Sequence, residues 1–175
     1  EFGHTVHGLM YDGEIQSLSG MNVPLDYVEL PSQFTENFVW ERPALDLFAK
    51  HYETGEKIPD ELYNKMIAAR NYHSAYYFIR QLYFGRIDLA MHQEYSKYKD
   101  MTFEEIEDAV VKDYTVDFGE PTISYYRNFS HLFGSPTGYA AGYYSYKWSE
   151  VLDADCFSRF LKEGILNKET GREFK

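Results

Sequence analysis

Covalent reinforcement is the first thing this chain lacks. Its 175 residues contain a single cysteine, Cys156, so no internal disulfide can form, which fits a reducing compartment. Long apolar runs are missing too. None approaches the roughly 20 residues needed to cross a bilayer, and no signal peptide is visible. The expectation is therefore a cytoplasmic chain with no membrane partner. Positive charge is scarce: 17 Lys and Arg stand against 28 Asp and Glu, a net charge of −11. That balance argues against nucleic acid and anionic lipid as partners. Strand signals are poor throughout, and there is no internal repeat, low-complexity segment or linker.

Aromatic residues are plentiful, with 17 Tyr and 13 Phe. Tyr rings pack like apolar groups while offering a hydroxyl, which suits a core and a peptide groove alike. The length suits one domain with a sizeable core, and the periodicity is helical. Helices are expected over residues 1–11, from Asp26 to Glu41, and from Pro43 to about Tyr52. A long one follows from Pro59 to Met91, interrupted near Asn71-Tyr72. Its Tyr76, Tyr77, Phe78, Tyr83 and Phe84 are read as packing residues, and His73 and His92 as ordinary helix residues. Thr102-Phe103-Glu104-Glu105 is a capping-box signal for a short helix to Tyr114. Val116–Ser124, with Gly119 and Pro121, reads as loop. Ser130–Gly138 is expected to be a tight loop feeding a helix from Tyr139 towards Phe160. Asn167 is expected to cap a last helix.

The chemistry concentrates near the start. Glu1-Phe2-Gly3-His4 carries the second half of a His-Glu-x-x-His motif, in which two imidazoles one turn apart face a zinc ion and the Glu serves as base. The first His would stand one place before Glu1. On spacing alone the commoner reading is a polar first turn with a solvent-facing His. His7, on the next turn, is expected to support the site or pack in the core. Glu29 follows His4 by 25 residues, in the context Glu29-Leu30-Pro31-Ser32-Gln33. Asp26, three residues earlier, reads as a cap that would place Glu29 in the first turn of a facing helix. Glu29, Gln33 and Glu36 then share a face. For Glu36, a supporting carboxylate and a solvated acidic face are equally good readings. Further on, Tyr139, Tyr143 and Tyr146 fall at i, i+4 and i+7, a stripe that by itself is more often core.

Three blocks, EFGHTVHGL, SGMNVPLDYVELPSQFTENFVWE and FSHLFGSPTGYAAGYYSYKWSEVLDADCFSRF, resemble in order and separation the oligopeptidase A / thimet oligopeptidase family of zinc metallopeptidases. The resemblance covers essentially the whole chain. It corresponds to the C-terminal catalytic portion of much longer proteins. It implies a mainly α, multi-helical part of a zincin-type catalytic domain, and residues 1–175 are expected to be a fragment of that domain, cut through helices at both ends. A zincin with His or Asp as third ligand is disfavoured by the context of Glu29.

The resemblance implies hydrolysis of internal peptide bonds in short peptides. His4 and Glu29 would be zinc ligands, Glu1 the general base and Tyr146 the oxyanion donor. His131, Tyr139 and Tyr143 would bind substrate. Zn2+ is the implied cofactor. Short peptides and the missing N-terminal lobe of a parent chain are the implied partners, and uncovered apolar surface raises the expectation of self-association. With two of three zinc ligands inside residues 1–175, weak or no stoichiometric zinc binding and no peptidase activity are expected of this chain alone. The alternative reading is a non-catalytic helical domain or remnant with an incomplete metal site.

Overall fold

Helix-forming residues broken by well-placed Gly, Pro and capping groups give a structure of short helices. The computed structural model describes residues 1–119 and 124–175. Among the described residues there is no strand; Lys50 and Lys57 form one isolated antiparallel bridge. The fold is mainly α. No helix among the described residues is long and apolar enough to cross a membrane. Of the expected Val116–Ser124 loop, residues 120–123 lie outside the described residues. The chain forms two units, Glu1–Tyr72 with Tyr146–Lys175, and His73–Ser145.

In the first unit, helix α1 (Phe2–Leu9) packs on α3 (Leu30–Asn37), with α2 (Leu25–Val28) just before it. The single helix expected from Asp26 to Glu41 is thus broken at Glu29, which ends α2 and leads into α3. Pro31 is responsible. It lacks an N–H and so cannot bond back into the preceding turn, but it is well tolerated in the first turn of a new helix. Asp26 is not a cap: Pro24, in extended conformation, precedes α2, and Asp26 lies within the first turn. Its carbonyl accepts a hydrogen bond from Ser149 Oγ at 3.2 Å.

Helix α4 (Arg42–Phe48) ends short of the expected Tyr52, because the chain turns back and the His51 N–H donates to the Glu56 carbonyl at 2.8 Å. Helix α5 (Asp60–Ala69) is tied to Trp40 twice. The Tyr63 hydroxyl donates to its carbonyl at 2.8 Å, and the Arg70 guanidinium stands 5.3 Å from its ring.

The core of this unit is aromatic. Phe34 and Phe38 of the α3 segment meet Phe157 and Phe160 of α10 (Ser145–Glu163) edge-on, with centroids 5.1–6.0 Å apart. Phe174 of α11 (Lys168–Phe174) stacks on Phe34 at 4.0 Å. Each such pair adds roughly 0.5–1.5 kcal/mol beyond the area it buries. Asn167 caps α11 as the sequence suggests, its Oδ1 accepting from the amides of Glu169 and Thr170.

The second unit is built on α6 (Ser74–Gln93), α8 (Phe103–Val111) and the short helices α7 (Tyr95–Tyr98) and α9 (Ser130–Phe133). The long expected helix does break near Asn71-Tyr72. His73 is not an ordinary helix residue there: it takes a left-handed φ of 55° and stands before α6. Tyr83 and Phe84 are buried as expected, whereas Tyr76, Tyr77 and Phe78 are exposed. The Thr102–Glu105 capping box forms in full, with the Thr102 N–H donating to the Glu105 carboxylate at 2.7 Å. Those bonds hold the Glu105 carboxyl below its ordinary pKa. Inside, the Tyr83 hydroxyl donates to Glu107 at 2.5 Å and that of Tyr126 to the Phe103 carbonyl at 2.7 Å.

Candidate active site

The close approach of α1 to α3 depends on a residue that carries no chemistry. Gly3 is buried, and a Cβ added to it would fall within 3.0 Å of Thr35 Oγ1, the Pro31 carbonyl oxygen and Ser32 Cα. Only glycine lets the two backbones come this near. The next residue, His4, therefore reaches across, and its Nε2 stands 3.1 Å from Glu29 Oε2. Both side chains are largely shielded, at 13% and 16% exposure. Ser32 Oγ donates to the same Glu29 oxygen at 2.7 Å, so the carboxylate is oriented from within its own helix start. His4 Nδ1 is buried and has no hydrogen-bond partner among the described residues.

Two donors, each about 2.0–2.2 Å from one zinc ion, can be no more than about 4.4 Å apart. The imidazole and carboxylate here meet that limit, and their hard-and-borderline donor set is of the zincin type. A hydroxyl bonded to the carboxylate also matches the outer hydrogen bonds typical of metal-binding carboxylates. The residues present therefore fit two positions of such a site. Among the described residues no group of three His, Cys, Asp or Glu side chains converges.

Glu1 is exposed, one turn before His4, and its carbonyl accepts the Thr5 amide at 3.2 Å. The ring of His7 meets Tyr27 edge-on at 6.2 Å and lines a cavity of about 400 Å3 with Met10, Tyr27, Phe34 and Phe174. Gln33 does not join Glu29 in a shared cluster; its Nε2 donates to the Tyr146 carbonyl at 3.0 Å, tying α3 to the first turn of α10. Glu36 is exposed.

In the second unit the expected helix from Tyr139 does not form. Helix α10 begins at Ser145, so Tyr139 and Tyr143 lie in a turn and share no helical face with Tyr146. The cause is local. Ala141 is left-handed, at φ 55°, and the amides of Ala141 and Tyr143 donate to the side chain of Asp88 rather than back along a helix. His131 and Tyr139 do come together, their rings edge-on at 5.2 Å, and His131 also stacks on Phe129 at 4.9 Å. Tyr143 is buried against Phe84 and Phe129, and burial pushes its hydroxyl pKa up. His131 belongs to the short helix α9 rather than to a loop.

Sequence reasoning passed over Gly3, Asp88 and His92. Gly3 sits inside the motif it serves, and only packing against α3 exposes its role. Asp88 and His92 carry a weak signal. They fall at i and i+4 on the apolar face that includes Phe84 and Ile87, where an acid needs a partner. His92 is not an ordinary helix residue: its Nδ1 lies 2.7 Å from Asp88 Oδ1.

These arrangements belong with a known class. The sequence matches Peptidase family M3 across residues 1–175, and the chain is a member of that family of peptidases. It is 47% identical to oligopeptidase A of Salmonella typhimurium over 176 residues, which is 99% of this chain and 25% of that protein. Identity to oligopeptidase A of Escherichia coli is 46% over 179 residues, with 99% of this chain and 25% of that protein covered. Dipeptidyl carboxypeptidase of Escherichia coli is 35% identical over 179 residues, covering 100% of this chain and 26% of that protein. The chain thus spans about a quarter of the length of these relatives.

Proposed function

We propose that this chain carries part of the active site of a zinc-dependent endopeptidase that hydrolyses internal bonds of short peptides. The observation that carries the reading is the 3.1 Å approach of His4 Nε2 to Glu29 Oε2 across two helices that only a glycine allows to touch. His4 and Glu29 would hold the metal. When bound, zinc supplies Lewis-acid polarisation of the scissile carbonyl and lowers the pKa of its water towards about 7. Glu1, one turn from His4, would serve as the general base towards water and would hand the proton to the leaving amine. The Tyr146 hydroxyl donates to the developing oxyanion. His131, Tyr139 and Tyr143 bind the peptide.

Within residues 1–175 the metal has two protein ligands where a catalytic zinc site has three, so this polypeptide alone holds zinc weakly and turns over no peptide. Calorimetric zinc titration and a quenched-fluorescent peptide assay test this, on the chain as it stands and on a version with His placed ahead of Glu1. The added imidazole restores metal affinity before activity. Robust chelator-sensitive cleavage by the 175-residue chain would overturn the ligand assignment.

A second reading, a helical domain without catalysis, draws on the absence of a three-residue metal cluster among the described residues. It predicts that the added His leaves zinc affinity unchanged. Exposed Leu9, Phe48 and Tyr52 support a further partner, either another lobe of a longer parent chain or a second copy. Light scattering distinguishes a monomer from the latter.

A further inference from the structure

The strongest unassigned feature is a carboxylate buried in the middle of α6. Asp88 has no solvent-exposed surface, yet its carboxylate meets two backbone amides and an imidazole nitrogen. Oδ1 accepts the Ala141 amide at 2.9 Å, and Oδ2 accepts the Tyr143 amide at 2.7 Å. His92 Nδ1, one turn along the same helix, lies 2.7 Å from Oδ1 and 3.0 Å from the Asp88 carbonyl oxygen. The ring of His92 stacks on Phe133 at 5.7 Å, and His92 lines a small cavity with Leu132, Phe133, Gly134, Ser135 and Pro136. One side-chain pair therefore touches both ends of the segment that runs from α9 to Ser145.

The conformation being held is a costly one. Ala141 sits at φ 55°, a left-handed conformation unfavourable for a residue with a Cβ, and such a residue persists only where its surroundings over-determine it. Two charge-assisted bonds from the same carboxylate, one to Ala141 itself and one to the residue two places on, are such a constraint. The turn is closed further by the Gly142 amide donating to the Tyr139 carbonyl at 2.8 Å and that of Ser145 to the Gly142 carbonyl at 3.0 Å. Tyr139 and Tyr143 leave this turn in fixed directions, the former edge-on to His131 and the latter into the core beside Phe129.

We propose that Asp88 is a positioning residue: by clipping the amides of Ala141 and Tyr143 it fixes the Tyr139–Tyr143 turn and hence the His131–Tyr139 ring pair that faces peptide. The role in peptide binding rests on the peptidase reading; the clip itself does not. His92 assists by holding Oδ1 and the Phe133 side of the same segment.

Amide hydrogen exchange on the isotope-labelled 175-residue chain tests the clip directly. In the wild type the Ala141 and Tyr143 amides should exchange at least about 100-fold more slowly than unstructured amides. Asp88→Asn keeps the side-chain volume and one acceptor oxygen, and should speed both amides by at least about tenfold, the loss expected for a hydrogen bond to a charged group. The Ile106 and Val110 amides of α8 should be unmoved, and the nuclear Overhauser contact between the His131 and Tyr139 rings should disappear. Binding of an N-acetylated, amidated penta-alanine peptide, read from the Tyr139 ring shifts, should weaken about tenfold in the same variant. Asp88→Ala should do more on every readout. Should it fail to fold, the wild-type protection and Asp88→Asn still decide the matter.

Unprotected amides in the wild type, or exchange unchanged in Asp88→Asn, overturns the clip. Faster exchange with peptide affinity unchanged overturns the positioning role and leaves the peptidase reading standing. Protected amides in a wild type that binds no peptide count against the peptidase reading and remove the positioning role with it, while the clip survives.

Discussion

Among the described residues there are two close His–carboxylate pairs, and they are opposites. Asp88 and His92 lie on one helix, with the carboxylate accepting two backbone amides and fully enclosed. His4 lies on α1 and Glu29 at the junction of α2 and α3. Their carboxylate receives one hydroxyl, the imidazole keeps an unpartnered nitrogen, and both side chains retain some access to solvent. A carboxylate enclosed by two backbone amides and an imidazole is committed to holding a conformation. One that receives a single hydroxyl and faces an imidazole, with some access to solvent, remains available to a cation. Distance alone does not separate the two pairs; the count of other donors does.

The largest effect that would break this contrast is on stability. Asp88→Ala should destabilise the second unit by about 3–5 kcal/mol, since it strands two buried amides and an imidazole. Glu29→Ala, without metal, should cost only about 1 kcal/mol, because Ser32 Oγ keeps the Glu29 carbonyl as an acceptor and the His4 imidazole that loses its partner retains some access to water. Denaturant titration of both variants makes the comparison, and equal losses would erase the distinction. Next comes metal affinity. In the chain carrying a His ahead of Glu1, Glu29→Gln should weaken zinc binding by more than the roughly 10–100-fold that loss of a supporting residue costs. Asp88→Asn should leave calorimetric zinc affinity within about twofold, as its oxygens are already occupied.

Gly3→Ala gives a smaller effect of a different kind. The added methyl forces α1 away from α3, at about 1–3 kcal/mol. It should also separate the His4 and Glu29 side chains, so zinc affinity falls although no ligand is altered. An unchanged zinc titration would show that the helices do not set the site.

The smallest effect concerns another buried carboxylate, Asp153, which accepts a hydrogen bond from the Asn37 side chain at 3.1 Å. Burial raises its pKa above the ordinary 3.8, with Asn37 opposing and the nearby Glu150 and Glu36 reinforcing the shift. A raised carboxyl stabilises the fold fully at acid pH and loses that contribution as pH rises through the folded-state pKa. Asp153→Asn should therefore stabilise the fold at neutral pH, by at most about 1 kcal/mol, read as a higher melting temperature. The advantage should vanish below about pH 3.8. A gain that persists in acid would mean packing, not ionisation, is responsible.

Much of the architecture was legible in the chain. The helical class, the Thr102–Glu105 box, the Asn167 cap and the break near Asn71-Tyr72 all follow from local rules, because a helix is specified by residues three and four apart. The failures occurred where a distant group overrode local preference. Tyr139–Tyr146 has helical spacing, but Asp88, more than fifty positions earlier, takes the amides that a helix would need. Pro31 divided a periodic stretch at the residue that carries the candidate carboxylate.

Sequence by itself therefore determined the helical class, most of the elements, the family and the residue types of the candidate site. Tertiary structure decided which carboxylates are spent and which are open. It also decided that Gly3 brings His4 to Glu29 and that Tyr139 and Tyr143 lie in a clipped turn rather than on a helix. The physical reason is that hydrogen-bond capacity is exhausted by whichever donor arrives in space, and neither spacing nor composition records which one that is.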